Sequence, residues 1–306
     1  MIFMSETIIF QRPVVFVPAR HLPRILERAK DTIEKIKEIF NSKYSVEEKI
    51  HSIVVQTFDF LNSYLGKNYS QGKSPLQIIV AKTTKEWAEA CAEGYNFPLK
   101  DSSSRKDFIR RLIGEPKKAT YDKNFSKLII NLEVIQKEHG KGTKAEEACI
   151  IATTIHESLH HLCGFDREIT IKPDGEKFNI LWLIDGINEL LLRDIMDSCY
   201  PKESESLKCS SYSQEFSLVT KLEYILGHDT LITSYFEGNL LSVKLKLKDL
   251  GLNEEEINEM FKLGHELVEG SDKEKNQAYK KLGSVLDKAL EKEKRRRKKR
   301  EGLGKK

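Results

Sequence analysis

Between Ala145 and Leu162 the apolar or small residues Ala148, Ala152, Ile155, Leu159 and Leu162 recur at steps of four, three, four and three. That is the stripe of a helix with one buried face, and Gly164 is the expected stop behind it. The same spacing predicts helices over Leu22–Phe40, over Val46–Leu65 with Gly66 as the end signal, and over Leu181–Met196. Two apolar runs of strand length, LQIIVAK (Leu76–Lys82) and FSKLIINLEVI (Phe125–Ile135), predict the clear strands. Thr7–Phe10 and Val14–Val17 predict two shorter extended pieces. A helix through Trp87 and another over Arg105–Ile113 fall between the main strands. REITIKPDGEKFNI predicts a hairpin turning at Pro173, Asp174 and Gly175. From about Ser213 the pattern is one of successive helices, broken at Gly227, Gly251 and Gly270. The fold class expected is α+β: a small sheet in the N-terminal half, a central helix, and an all-helical C-terminal half. The segments expected are 1–70 (strands and helices), 71–200 (core), 201–270 (helical subdomain) and 271–306 (a helical or disordered basic tail).

The central helix spends three buried-run positions on ionisable groups. Within TTIHESLHHLCGFD, His156, Glu157 and His160 are spaced as H-E-x-x-H. Positions i and i+4 share a helix face with Cβ atoms roughly 6 Å apart, so two imidazoles can converge on one ion at Zn–N distances of about 2.0–2.1 Å. Glu157 points beside that ion, where it can take a proton from an activated water and deliver it to a leaving nitrogen. The plain alternative, a surface helix with two histidines and an ordinary glutamate, fits poorly with the apolar residues around the motif.

HESLH on such a helix, preceded by KLIINL, resembles the zincin metallopeptidases. The resemblance covers roughly residues 76 to 240. It implies a small mixed sheet, an active-site helix and a mainly helical lower half, with FSKLIINLEVI in the place of the edge strand that lies along bound substrate. It also implies Zn²⁺, and a third ligand completing the site. In the gluzincin branch that ligand is a glutamate of a later helix, and DGINELLLRD offers Gly186, Asn188 and Glu189, although Leu190 departs from the usual second glycine. A buried carboxylate needs a partner, which zinc would provide. In the metzincin pattern the third ligand stands ten residues after the first histidine, at Asp166, but Cys163 occupies the place of the expected glycine. The gluzincin-like set is therefore metal ligands His156, His160 and Glu189, with Glu157 as general base. His161 sits about 100° round the helix from His160, and it and Cys163 are expected as packing or supporting groups. Asp185, one turn before Glu189, is expected to support a ligand imidazole or to pair with a neighbouring helix. Tyr212 is the favoured oxyanion-stabilising residue, ahead of Tyr235. His228 and His265 are expected at the surface.

Composition narrows the setting. The chain has 306 residues, 39% hydrophobic and 32% charged, enough for a proper core. No run of eighteen apolar residues exists, so no transmembrane segment is expected. Five cysteines form no C-x-x-C pair and are expected as reduced thiols of a cytoplasmic protein, although Cys199 and Cys209 lie close enough in sequence to bridge. The net charge of +4 is uneven. Residues 288–306 hold eleven Lys or Arg against three Glu, leaving the rest of the chain at −4. That tail is either solvated or makes weak, non-specific contact with nucleic acid or an anionic surface. The function expected is a zinc metallopeptidase acting on a peptide or protein substrate. The alternatives are a regulatory, repressor-type protease with one protein target, or a non-catalytic zincin-fold interaction protein.

Overall fold

The computed structural model describes residues 31–32, 34–39, 41–65, 73–93, 102–166, 168–171, 176–199 and 212–303. The expected extended pieces at Thr7–Phe10 and Val14–Val17, the start of the Leu22–Phe40 helix, the Pro173–Gly175 turn and Cys209 lie outside them. Residues 34–39 are helical. Then come α1 (Val46–Leu65), β1 (Gln77–Ala81), α2 (Thr84–Glu93), α3 (Ser102–Gly114), β2 (Ala119–Asp122), β3 (Lys127–Asn131) and α4 (Leu132–His139). The second half runs α5 (Lys144–Leu162), β4 (Glu168–Ile171), β5 (Glu176–Asn179), α6 (Leu181–Cys199), α7 (Ser213–Leu226), α8 (His228–Glu237), α9 (Leu240–Asp249), α10 (Glu254–Glu269) and α11 (Asp272–Leu303).

The architecture is mixed α+β and mostly helical. A three-stranded mixed sheet has the order β1-β3-β2, with β1 parallel and β2 antiparallel to β3. FSKLIINLEVI departs from expectation in two ways. Its strand is flanked on both sides, so β3 is not an edge. Leu128, Ile129 and Ile130 are all fully buried, the near-continuous apolar pattern of a strand covered on both faces. The strand also stops at Asn131, whose side chain caps α4 by accepting from the Val134 amide, so LEVI is helical. Among the described residues the edge beside α5 is β2, whose burial alternates along ATYD.

Helix α5 starts where Thr143 accepts a hydrogen bond from the Glu146 amide at 3.0 Å, while Glu146 reaches back to the Gly142 amide. Its end differs from the glycine cap expected. Cys163 is the C-cap, and Lys73 Nζ donates to the carbonyls of His161 (2.7 Å) and Cys163 (3.0 Å), a cation satisfying last-turn carbonyls. Gly164 serves close approach instead. A Cβ there would lie 2.4 Å from the Gly238 amide nitrogen, and Gly238 ends α8 in the left-handed region at φ 67°.

One apolar core runs from Ile36 to Ala289, through α5, α6, α7, α8, α10 and α11. Gly186 lets α7 press onto α6: a Cβ there would meet the Glu215 carbonyl oxygen at 2.7 Å and Val219 at 2.5 Å. The helix that carries the basic tail is docked over its first part. Ala278, Leu282, Leu286 and Ala289 of α11 are buried in this core. Cys91, Cys149 and Cys163 are free, buried thiols. No helix of the described residues is long and apolar enough to cross a membrane.

Two stability predictions follow from these contacts. Gly186→Ala forces α7 away from α6 and should cost about 1–3 kcal/mol in chemical denaturation, typical of overpacking. Glu133 accepts the first amide of α2 (Thr84 N, 2.6 Å) and pairs with Lys137 at 2.7 Å. Lys137, then Thr84, hold its carboxyl down from 4.5 to about 2. A depressed folded pKa stabilises above the unfolded value and is lost as pH falls. The stability gap between wild type and Glu133→Gln should therefore be constant above pH 4.5 and close as pH falls towards 2.

Candidate metal centre

Helices α5 and α6 face each other across the middle of the core, each presenting two ionisable groups one turn apart. From α5 come His156 and His160, with ring centroids 5.2 Å apart. From α6 come Asp185 and Glu189, both buried. Asp185 Oδ1 lies 3.2 Å from His160 Nε2. One potential ligand atom each from His156, His160 and Asp185 falls within 4.8 Å of the others, close enough to hold a metal ion. Glu189 lies to one side of that group. Its Oε2 is 4.0 Å from His156 Nδ1, and its Oε1 accepts from Arg193 Nε at 2.7 Å. Arg193 is itself stacked 3.8 Å over Phe216 of α7.

The donor set fits a divalent metal. The His156 Nε2 atom is buried and has no hydrogen-bond partner among the described residues, an exception to the rule that buried polar atoms are paired. Burial, with His160 adding to it, pushes the His156 pKa down to about 3. The ring is therefore neutral at physiological pH, the form that ligates metal. Imidazole, imidazole and carboxylate match zinc's preference for nitrogen and oxygen donors.

Glu157 is partly buried beside the cluster. Burial raises its pKa, while His160 and a hydrogen bond from the Tyr121 backbone amide oppose the rise. Tyr121 is a contact that the residue pattern did not single out. From edge strand β2 its ring lies parallel to His160 with centroids 6.2 Å apart, and its hydroxyl meets His161 Nδ1 at 3.1 Å. Phe58 of α1 stacks on the His161 ring with centroids 5.7 Å apart. His161 is packed between these rings, its pKa lowered to about 4 by burial and then by Lys73. The alternation of ATYD was the available signal for Tyr121, because it puts residues 119 and 121 on the inner face.

Tyr212, just before α7, stacks on His156 with centroids 5.0 Å apart and planes 10° apart. Burial raises its pKa, and the charges of Asp185, Glu157, Glu215 and Glu189 raise it further. Its phenol stays protonated and able to donate. Tyr235 lies deeper: it is fully buried and bonds the Leu159 carbonyl at 3.0 Å and the Asn188 side chain. Asp166 is outside the cluster, paired at the surface with Lys123 at 3.0 Å. Cys163 is packed in the core, its thiol pushed up to about 11 by burial. His228 and His265 are not the surface groups expected. Each is half-buried, with His228 Nδ1 2.7 Å from Glu223 and His265 Nδ1 accepting the Asn179 amide at 3.1 Å. No family model, curated protein or solved structure matches this chain, so the reading of the centre rests on its own geometry.

Proposed function

We propose that the chain is a zinc-dependent metallopeptidase with a zincin-like active site, in which His156, His160 and Asp185 hold the metal. The observation that carries the reading is the buried, unpartnered His156 Nε2 beside the His160–Asp185 pair. Asp185 takes the ligand position expected for Glu189. Glu189, braced by Arg193, lies on the Nδ1 side of His156, where a carboxylate orients an imidazole and leaves the other nitrogen for metal. The two carboxylates exchange the parts that their spacing in DGINE implied.

Bound zinc supplies Lewis acidity that polarises a carbonyl and makes water reactive at neutral pH. The protein's own groups do the rest. Glu157, held by the Tyr121 amide, accepts the proton of the attacking water. Its raised pKa favours keeping that proton until the amide nitrogen departs and needs it. The protonated Tyr212 hydroxyl is available to donate to the oxygen on which negative charge develops. The stacked Tyr121 and Tyr212 rings fix His160 and His156, so the donors are oriented before substrate arrives.

Elemental analysis and a peptide-cleavage assay test the reading together. Wild type should carry about one zinc per chain. Asp185→Asn should lose it, while Glu189→Gln should keep it with roughly 10–100-fold weaker affinity. A Glu189→Gln protein without metal beside a metal-loaded Asp185→Asn protein would reverse the ligand assignment. Glu157→Gln should retain zinc and lose about 10²–10⁴-fold in turnover; unchanged cleavage in that variant rules the mechanism out.

A further inference from the structure

Helix α11 ends its docking on a polar anchor. Arg297 Nε pairs with buried Glu293 at 2.9 Å, its guanidinium lies 4.4 Å over the Tyr224 ring, and a second nitrogen donates to the Tyr224 carbonyl at 2.6 Å. These contacts hold the turn of α11 around Arg297 against α7, and the helix continues through residues 298–300. Arg295, Lys298, Lys299 and Arg300 are exposed there and Arg296 is half-buried. Their neighbours Lys294 and Arg297 have glutamate partners. Among the described residues the other five make no ion pair within 4.0 Å, although Arg295 and Lys298 lie near enough to Glu291 to lower its pKa.

The five cations besides Arg297 occupy about 9 Å of helix axis and, at about 100° per residue, spread over roughly 200° of the helix surface, the side away from the Arg297 anchor. Like charges three and four apart disfavour the helix, and a polyanion around it removes that repulsion. Every residue from Glu291 to Glu301 is charged. The segment therefore offers no apolar face to sink among acyl chains, which an interfacial membrane helix requires. It carries no aromatic ring on which an unpaired base stacks. A helix face of closely spaced cations instead matches the regularly spaced phosphates of a duplex, whose charge density is high along both backbones.

We propose that residues 295–300 form a docking surface for the phosphate backbone of double-helical nucleic acid, bound without regard to base sequence. The inference is independent of the metal centre.

Fluorescence anisotropy with the full chain and labelled duplexes of about 20 base pairs, one DNA and one RNA of arbitrary sequence, tests it. Affinity should fall roughly 500-fold between about 50 and about 200 mM salt, from about five phosphate contacts at a log–log slope near −0.9 each. Replacing Arg295, Arg296, Lys298, Lys299 and Arg300 together by Gln should abolish binding at the lower salt, with the circular dichroism and melting temperature of wild type. Binding of either duplex in this way supports the proposal, and the tighter one identifies the form. No binding by wild type, or equal binding by the folded variant, overturns it. So does stronger retention on phosphatidylserine-containing vesicles than on duplex at the same salt, which would assign the surface to a membrane.

Discussion

A single buried hydroxyl ties together the two helices that carry the candidate centre. Tyr235 of α8 meets the Leu159 carbonyl, one residue before His160, and the Asn188 side chain, one residue before Glu189. A phenol has one proton, so it cannot donate to two oxygens. Turning the Asn188 amide so that its NH₂ faces Tyr235 resolves this: Asn188 donates, and Tyr235 passes its own proton to Leu159. Each of the two hydrogen bonds then has its own proton in a buried setting, where an unmade hydrogen bond costs about 1–3 kcal/mol. Removing the hydroxyl would take away this polar tie between α5 and α6 at the level where histidines and carboxylates meet and leave their apolar packing.

Glycines let the surrounding helices come close enough for that bond to form. Gly164 and Gly238 bring the ends of α5 and α8 into backbone contact, and the Gly164 amide donates to the Tyr235 carbonyl at 3.0 Å. Gly186 does the same for α6 and α7, seating Tyr212 against His156. At a third crossing, a Cβ on Gly264 would fall 1.9 Å from Trp182 Nε1. The side chains with chemistry sit between backbones held by contacts that no larger residue permits. Precision at the centre is thus a property of packing, not of the ionisable residues themselves.

Much of this was legible in the sequence, and the failures have physical reasons. The apolar periodicity placed α1, α5 and α6 to within a few residues, because a one-sided helix buries a stripe that repeats every 3.6 residues. The two histidines share a helix face for the same reason. The run FSKLIINLEVI was harder, since a fully buried strand and the start of a buried helix look alike until Asn131 is recognised as a cap. Gly238 was missed as a break, although a glycine after TSYFE is a good stop signal. Tyr121 and Lys73 were invisible as site residues because they reach α5 only through tertiary packing, 40 and 88 residues away from His161. The choice between Asp185 and Glu189 was equally closed to spacing. Both lie on one face of α6, and only the rotation of that helix against α5 decides which of them meets His160.

That rotation leaves an electrostatic problem which the proposed ion answers. Asp185 and Glu189 are buried one turn apart, and Glu157 and Glu215 are near enough to act with them on Tyr212. Among the described residues Arg193 and His160 lie against Glu189 and Asp185, Lys117 and Lys275 act on Glu157 and Glu215, and His156 resists protonation. Burying like charges together without compensation costs several kcal/mol per ion, more than most single contacts in a marginally stable fold return. Replacing the carboxylates by Leu or Met would relieve the cost and still fill the space. A divalent cation at His156, His160 and Asp185 relieves it in another way, by turning the excess negative charge into binding energy for the ion. The Glu189–Arg193 pair is then left to neutralise itself and brace the imidazole. On this argument Asp185, set against His160 where Glu189 has the Arg193 guanidinium, is the carboxylate of α6 most informative about the proposed occupant.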